Sequence, residues 1–282
     1  MPALVVILLF ATSDLAAQQP PDTLRYHEVT RSVTVLRAPG GEVRIGLEQD
    51  ARITWLRITR DSAVAWYTAL TLTATSPSGT ERPTTAGLLG RRFVLRIDDD
   101  GHVVPVRTPT LPPDIRRLSD LSRQFLDFFL PVAPTALRPG LVWRDTVRLD
   151  GAESAGGSAP RLTATKQARY EVTGDTVVGG VPAWVVRAHV QQRFRTETPL
   201  EDRPEITVVN LMEGPEYGAF WVAKTDGRLL RRTREAELRG VLDYQGASAP
   251  LILPVERRYE STIRCTDGCR VPSPTDSASN SP

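Results

Sequence analysis

The feature that most constrains this chain is a two-residue period. Apolar or β-branched residues alternate with polar ones over long stretches, as in Val33-Thr34-Val35-Leu36-Arg37 and Arg52-Ile53-Thr54-Trp55-Leu56-Arg57. Successive side chains of a strand point to opposite faces, so this pattern reads as strands with one dry and one wet side. Gly, Pro, Asp and Asn break the pattern at short intervals, which is turn chemistry. Strands are expected near 26–37, 42–60, 63–75, 91–97, 102–107, 142–149, 162–172, 183–196, 205–212, 218–224, 228–239 and 251–264. Only Asp61-Ser62 separates the second and third of these, which predicts a hairpin. The fold class is mainly β, a large antiparallel sheet in a single domain over 25–270.

Two further hairpins announce themselves by Asp-Gly, which supplies the positive φ of a tight turn. Phe93-Val94-Leu95-Arg96-Ile97 leads through Asp98-Asp99-Asp100-Gly101 into His102, and Phe220-Trp221-Val222-Ala223-Lys224 leads through Asp226-Gly227 into Arg228. Glycine-bearing approaches precede both, Gly87 to Gly90 and Gly214 to Gly218, which suggests two related halves over 25–107 and 141–270. Between them Leu111-Pro112-Pro113-Asp114 introduces an amphipathic helix over 114–130. Ile115, Leu118, Leu121, Phe125, Leu126, Phe128, Phe129 and Leu130 recur at spacings of three and four, and Pro131 and Pro134 stop it. Its apolar stripe can cover one face of the sheet, act as a lid over an apolar cavity in a curved sheet, or lie on a membrane surface.

The first residues carry the apolar run Leu4 to Ala11, then small residues at Ala16 and Ala17 and a polar leader over 18–24. That order is a secretory signal peptide over 1–17, although no Lys or Arg precedes the run and Leu15 sits where a small residue is preferred. The run is far short of the roughly 20 residues that span a bilayer, so no transmembrane span is expected in the mature chain. An exported, periplasmic or secreted address permits Cys265 and Cys269 to form a disulfide. The polar stretch 271–282 reads as a disordered tail.

Composition excludes some classes. The net charge is +2, and among the 35 basic residues only Lys166 and Lys224 are lysines. The arginines spread over almost every segment and are placed on the wet face of strands, not in the single stripe that nucleic acid requires. His27, His102 and His189 lie far apart, and no metalloprotease helix, nucleophile elbow or phosphate loop is present. No metal or cofactor is expected. Asp98 to Asp100 are consecutive where a calcium loop alternates its ligands, so they read as a turn, with His102 exposed beside it. Most of the five tryptophans, all in expected strands, read as core.

The order of elements, with Pro139-Gly140-Leu141-Val142-Trp143 opening the second half, resembles the periplasmic lipoprotein carriers and their outer-membrane acceptors. It is similar also to exported bacterial proteins of that architecture. The resemblance implies an open antiparallel half-barrel closed by helix over a greasy cavity; it carries over no functional residue. The leading expectation is a non-catalytic binder or carrier of a lipid or acyl chain. The ligand would lie in a cavity of a few hundred cubic ångströms lined by Leu118, Leu121, Phe125, Phe128 and Phe129. A module that contacts another envelope protein is the second reading. A hydrolase using His189 or His27 as base is the third.

Overall fold

The computed structural model describes residues 23–269 apart from 120, 122, 123, 127, 134, 152–160, 201 and 247–250. The signal-peptide and tail readings, and most of the Gly- and Ser-rich stretch 151–160, lie outside the described residues. Those described form β1 (Thr23–Ala38), β2 (Gly41–Arg57), β3 (Ser62–Ser76), β4 (Gly79–Glu81), β5 (Phe93–Ile97) and β6 (Val103–Arg107). After α1 (Pro113–Leu118) come β7 (Val142–Gly151), β8 (Arg161–Val178), β9 (Val181–Pro199), β10 (Thr207–Ala223), β11 (Leu229–Gln245) and β12 (Ile252–Asp267). They make one 12-stranded antiparallel sheet in the order β6-β5-β3-β2-β1-β12-β11-β10-β9-β8-β7, with β4 on β3 off this path.

Two consequences of that order matter for the site. The first and last strands are neighbours in the middle of the sheet, with Val29 opposite Thr262. The two free edges, β6 and β7, are consecutive in the chain. Between them the chain must pass from one edge to the other, and the described residues of segment 108–141 lie along the concave face.

The alternation sorts side chains by face. Tyr26, Ile53, Tyr67, Val186, Phe220 and Ile263 are buried on the concave side, while Arg31, Arg187, Arg193, Arg258 and Glu260 are exposed on the convex side. A strand barrel in lipid has the opposite polarity, apolar outward. The backbones of β10 and β11 approach closely at two glycines. A Cβ at Gly240 would stand 1.7 Å from the Leu211 carbonyl oxygen, and one at Gly214 2.1 Å from that of Glu237. Glycine in a strand marks such a close backbone approach.

Two of the differences from the sequence reading bear on the concave face. β10 is a single strand through Gly214-Pro215, where two strands and a turn were expected. Pro215 has no N–H to give, and the ladder to β11 skips Gly214 and Pro215 while resuming in the same register at Glu216 opposite Ala236. The helix expected over 114–130 is only α1, and Ser119 beyond it is extended at φ −150°. Among the described residues beyond it, Gln124 N donates to Leu121 O and Phe128 N to Phe125 O, the short-range bonds of turns. A helix presents one apolar stripe, whereas this segment lies in a trough with apolar walls around it. Packing in several directions overrides the helical pattern.

Candidate functional site: the concave face

Because the strands pair in register, concave residues of adjacent strands fall into hoops across the sheet. At the end that receives the 108–141 segment the hoops are aromatic: Tyr26 opposite Ile53, and Ile53 opposite Tyr67. Leu121, Phe125 and Phe128 are fully buried there. Phe125 meets Phe93 edge-on with ring centroids 5.1 Å apart, and Phe128 meets Tyr26 likewise at 5.1 Å. Phe128 also stacks on Trp55 at 5.8 Å, and half-buried Phe129 lies edge-on to Trp55 at 4.6 Å. Leu118 stays half-buried at the end of α1. Four of the five residues expected to line a cavity thus pack in the trough, and one of these, Phe129, also borders a narrow cleft. The Tyr26 and Tyr67 hydroxyls and Trp143 Nε1 are buried there with no hydrogen-bond partner among the described residues.

The next hoops are polar, which the sequence reading missed by placing arginines on the wet face. Glu28 is buried opposite Ile263, which is opposite Arg232. Arg232 Nη2 lies 3.6 Å from the Glu28 carboxylate, and Nη1 donates to the Phe128 carbonyl at 3.2 Å. Gln124 and Ser261 also donate to Glu28. Burial pushes the Glu28 pKa up against the opposing pull of Arg232, and burial lowers Arg232 to about 10. One arginine thus ties the inserted segment, through its backbone, to the wall of the sheet.

Two hoops further on, Glu216 accepts both Nε and Nη2 of Arg234 at 2.6 Å, Tyr259 Oη at 2.5 Å and Gln192 Nε2 at 3.3 Å. Burial would raise its pKa, but the Arg234 guanidinium outweighs this and holds it below the usual carboxylate range. A paired fork of this kind fixes both partners in one geometry.

His102 is not the exposed turn residue expected; its side chain is 18% exposed. Nε2 lies 2.9 Å from Asp145 Oδ2 on β7, and Nδ1 lies 3.3 Å from Asp98 Oδ2. The Asp98 to Gly101 turn also holds the inserted segment, since Val132 N donates to Asp100 O at 2.8 Å. His102 therefore bridges the seam between the two free edges. Burial alone would lower its pKa, but the Asp145 and Asp98 carboxylates reverse this and raise it.

Beside this bridge a narrow cleft opens along Leu126, Phe129, Lys166, Tyr170 and Glu216, and about 40 Å³ of it is open to the centre of a water molecule. Among the described residues its lining includes His102 and Asp145 but no Ser, Thr or Cys. His27 pairs with Asp50 and His189 stacks on Tyr217, both away from the cleft. Beyond the polar hoops a second apolar cluster, Met212, Ala236, Leu238 and Val255 with Leu36 and Phe194, continues the trough. Cys265 and Cys269 are joined at the end of β12.

No family model matches the chain, and no curated protein does. Among solved structures it is similar to lipovitellin, at 12% identity and TM-score 0.36, covering 90% of this chain and 26% of that one. An outer membrane channel from Pseudomonas putida matches at 11% identity and TM-score 0.24, covering 90% and 98% of the two chains. A putative outer membrane lipoprotein-sorting domain from Vibrio parahaemolyticus matches at 8% identity and TM-score 0.18, covering 86% and 83%. Likenesses this distant assign neither family nor activity.

Proposed function

We propose that the protein is an exported, non-catalytic binder or carrier of an apolar ligand, a lipid or acyl chain, which it takes on the concave face in exchange for the 108–141 segment. The observation that carries this reading is how the trough is filled. Leu121, Phe125, Phe128 and Phe129 occupy an aromatic wall as a ligand would, from a stretch whose described residues form no strand of the sheet. Outside its own turns, the contacts that hold it include Arg232 on the Phe128 carbonyl, Gln124 on Glu28 and Asp100 on Val132. An apolar chain entering the trough would replace the buried side chains with equivalent apolar area. The Cys265–Cys269 disulfide supports an oxidising compartment.

The test is mass spectrometry of lipids extracted from the protein purified from its native envelope, together with titration by the apolar fluorophore N-phenyl-1-naphthylamine. Bound acyl lipid and saturable fluorophore binding are expected. A protein that is consistently empty and gives no saturable signal sinks the proposal. The weight would then pass to an envelope interaction module, which the exposed Val106 and Val142 on the free edge strands favour.

A further inference from the structure

Not every cation of the polar hoops has a carboxylate beside it. Arg232 has Glu28 and Arg234 has Glu216, but Arg257 meets no carboxylate among the described residues. Its place is fixed by register. On β12 it shares parity with the buried Val255, Ser261 and Ile263, and the pairing of β12 with β11 runs without a shift from Ile252 to Arg264. Arg257 is therefore on the concave face, opposite Leu238 and Thr34. Its Nε is shut off from solvent and has no acceptor among the described residues. The residue as a whole keeps partial exposure.

A guanidinium held in this way is costly, because burial disfavours charge that is not paired. Burial accordingly holds the Arg257 pKa below its usual value, and Tyr259 beside it supplies no fixed negative charge to reverse this. Buried polar groups in folded proteins are satisfied as a rule, and an exception calls for an explanation. Leu238 and Val255 flank Arg257 with apolar surface. Cationic, fork-shaped and bordered by apolar side chains, the position has the donor set for a carboxylate or phosphate whose attached chain is apolar.

We propose that Arg257 is the headgroup anchor of the concave face, and that the ligand is an amphiphile with an anionic carboxylate or phosphate head. This rests on the reading of the trough as a ligand site and specifies the ligand's chemistry. The head lies in the polar hoops on Arg257, and the tail takes the apolar surface to one side.

The test uses the full chain and three probes of equal chain length, laurate, monododecyl phosphate and 1-dodecanol, each displacing N-phenyl-1-naphthylamine. Charge-assisted hydrogen bonds predict displacement by the two anions at roughly 10- to 100-fold lower concentration than by the alcohol. Arg257→Gln should abolish that preference and leave dodecanol unchanged. Arg258→Gln, on the convex face where Arg258 pairs with Glu237 at 3.3 Å, should keep it. Laurate alone or dodecyl phosphate alone showing the preference identifies which head is taken. In the absence of ligand, Arg257→Met should unfold at the same temperature as the wild type or higher, since it removes an unpaired cation; a lower midpoint marks a structural arginine and overturns the anchor. Equal displacement by all three probes, or a preference that survives Arg257→Gln, overturns the headgroup site while leaving an apolar site standing. Absence of any fluorophore binding overturns both.

Discussion

Phe128→Ala tests whether the inserted segment is part of the core or a loose cover. The ring is fully buried and touches Tyr26, Trp55, Phe125 and Phe129 at centroid distances of 5.1, 5.8, 5.8 and 5.0 Å, with the Arg232 guanidinium 5.7 Å from its centre. Burial of such a ring is worth about 1.5–3 kcal/mol by area alone. Each well-placed aromatic pair adds about 0.5–1.5 kcal/mol, and the neighbours cannot all collapse into the gap. The Phe128 carbonyl survives in alanine, so the hydrogen bond from Arg232 need not be lost. The expected loss is about 3–5 kcal/mol of unfolding free energy. Urea denaturation followed by tryptophan fluorescence and by far-ultraviolet circular dichroism measures it. The same truncation weakens the segment as a competitor for the trough, so N-phenyl-1-naphthylamine should bind more tightly than to wild type. A stability loss below about 1 kcal/mol, or fluorophore affinity that falls, refutes the reasoning that the segment fills a shared site.

Three other outcomes follow from the geometry. The His102 pKa is raised in the native state, so the stability it contributes is fully present below the ordinary histidine value of 6.5 and is lost as pH rises through the raised native value. The difference in urea stability between wild type and His102→Gln should therefore shrink from about pH 5 to about pH 9, and a difference that grows with pH contradicts the seam bridge. Gly240→Ala should cost about 3 kcal/mol or more by calorimetry, whereas Gly46→Ala, whose Cβ would meet Thr75 only at 3.8 Å, should stay within about 1 kcal/mol of wild type. Replacing Cys265 and Cys269 by serine opens a link between residues four apart and should cost about 2 kcal/mol in thermal unfolding, with the reduced wild type matching it.

The strands were legible because period two needs only local sequence, and the Asp226-Gly227 and Asp98 to Gly101 turns carried their own chemistry. Gly214-Pro215 misled because the same residues that end strands also let a strand pass a close neighbour. The helix reading failed because spacing reports which residues are apolar together, not that a trough will receive them from several sides. The polar hoops were hidden for a further reason. Arginines occur on both faces of this sheet, so Arg232 and Arg257 look like Arg231 and Arg258 until parity is tied to a known dry face. A long-range partner has no local signal either, and Asp145 stands 43 residues from His102 on the opposite edge.

The side-by-side position of β1 and β12 has a topological corollary. Gly268 lies against the Thr23 carbonyl, so a short peptide joining these ends would disturb no ladder. A circular permutant running from β7 to β12 and then from β1 to β6 would keep every strand pairing. It would lose only the covalent bridge across the seam, with segment 108–141 left as a dangling tail. Whether that tail still seats itself in the trough separates side-chain packing from chain connectivity as the force that holds it there.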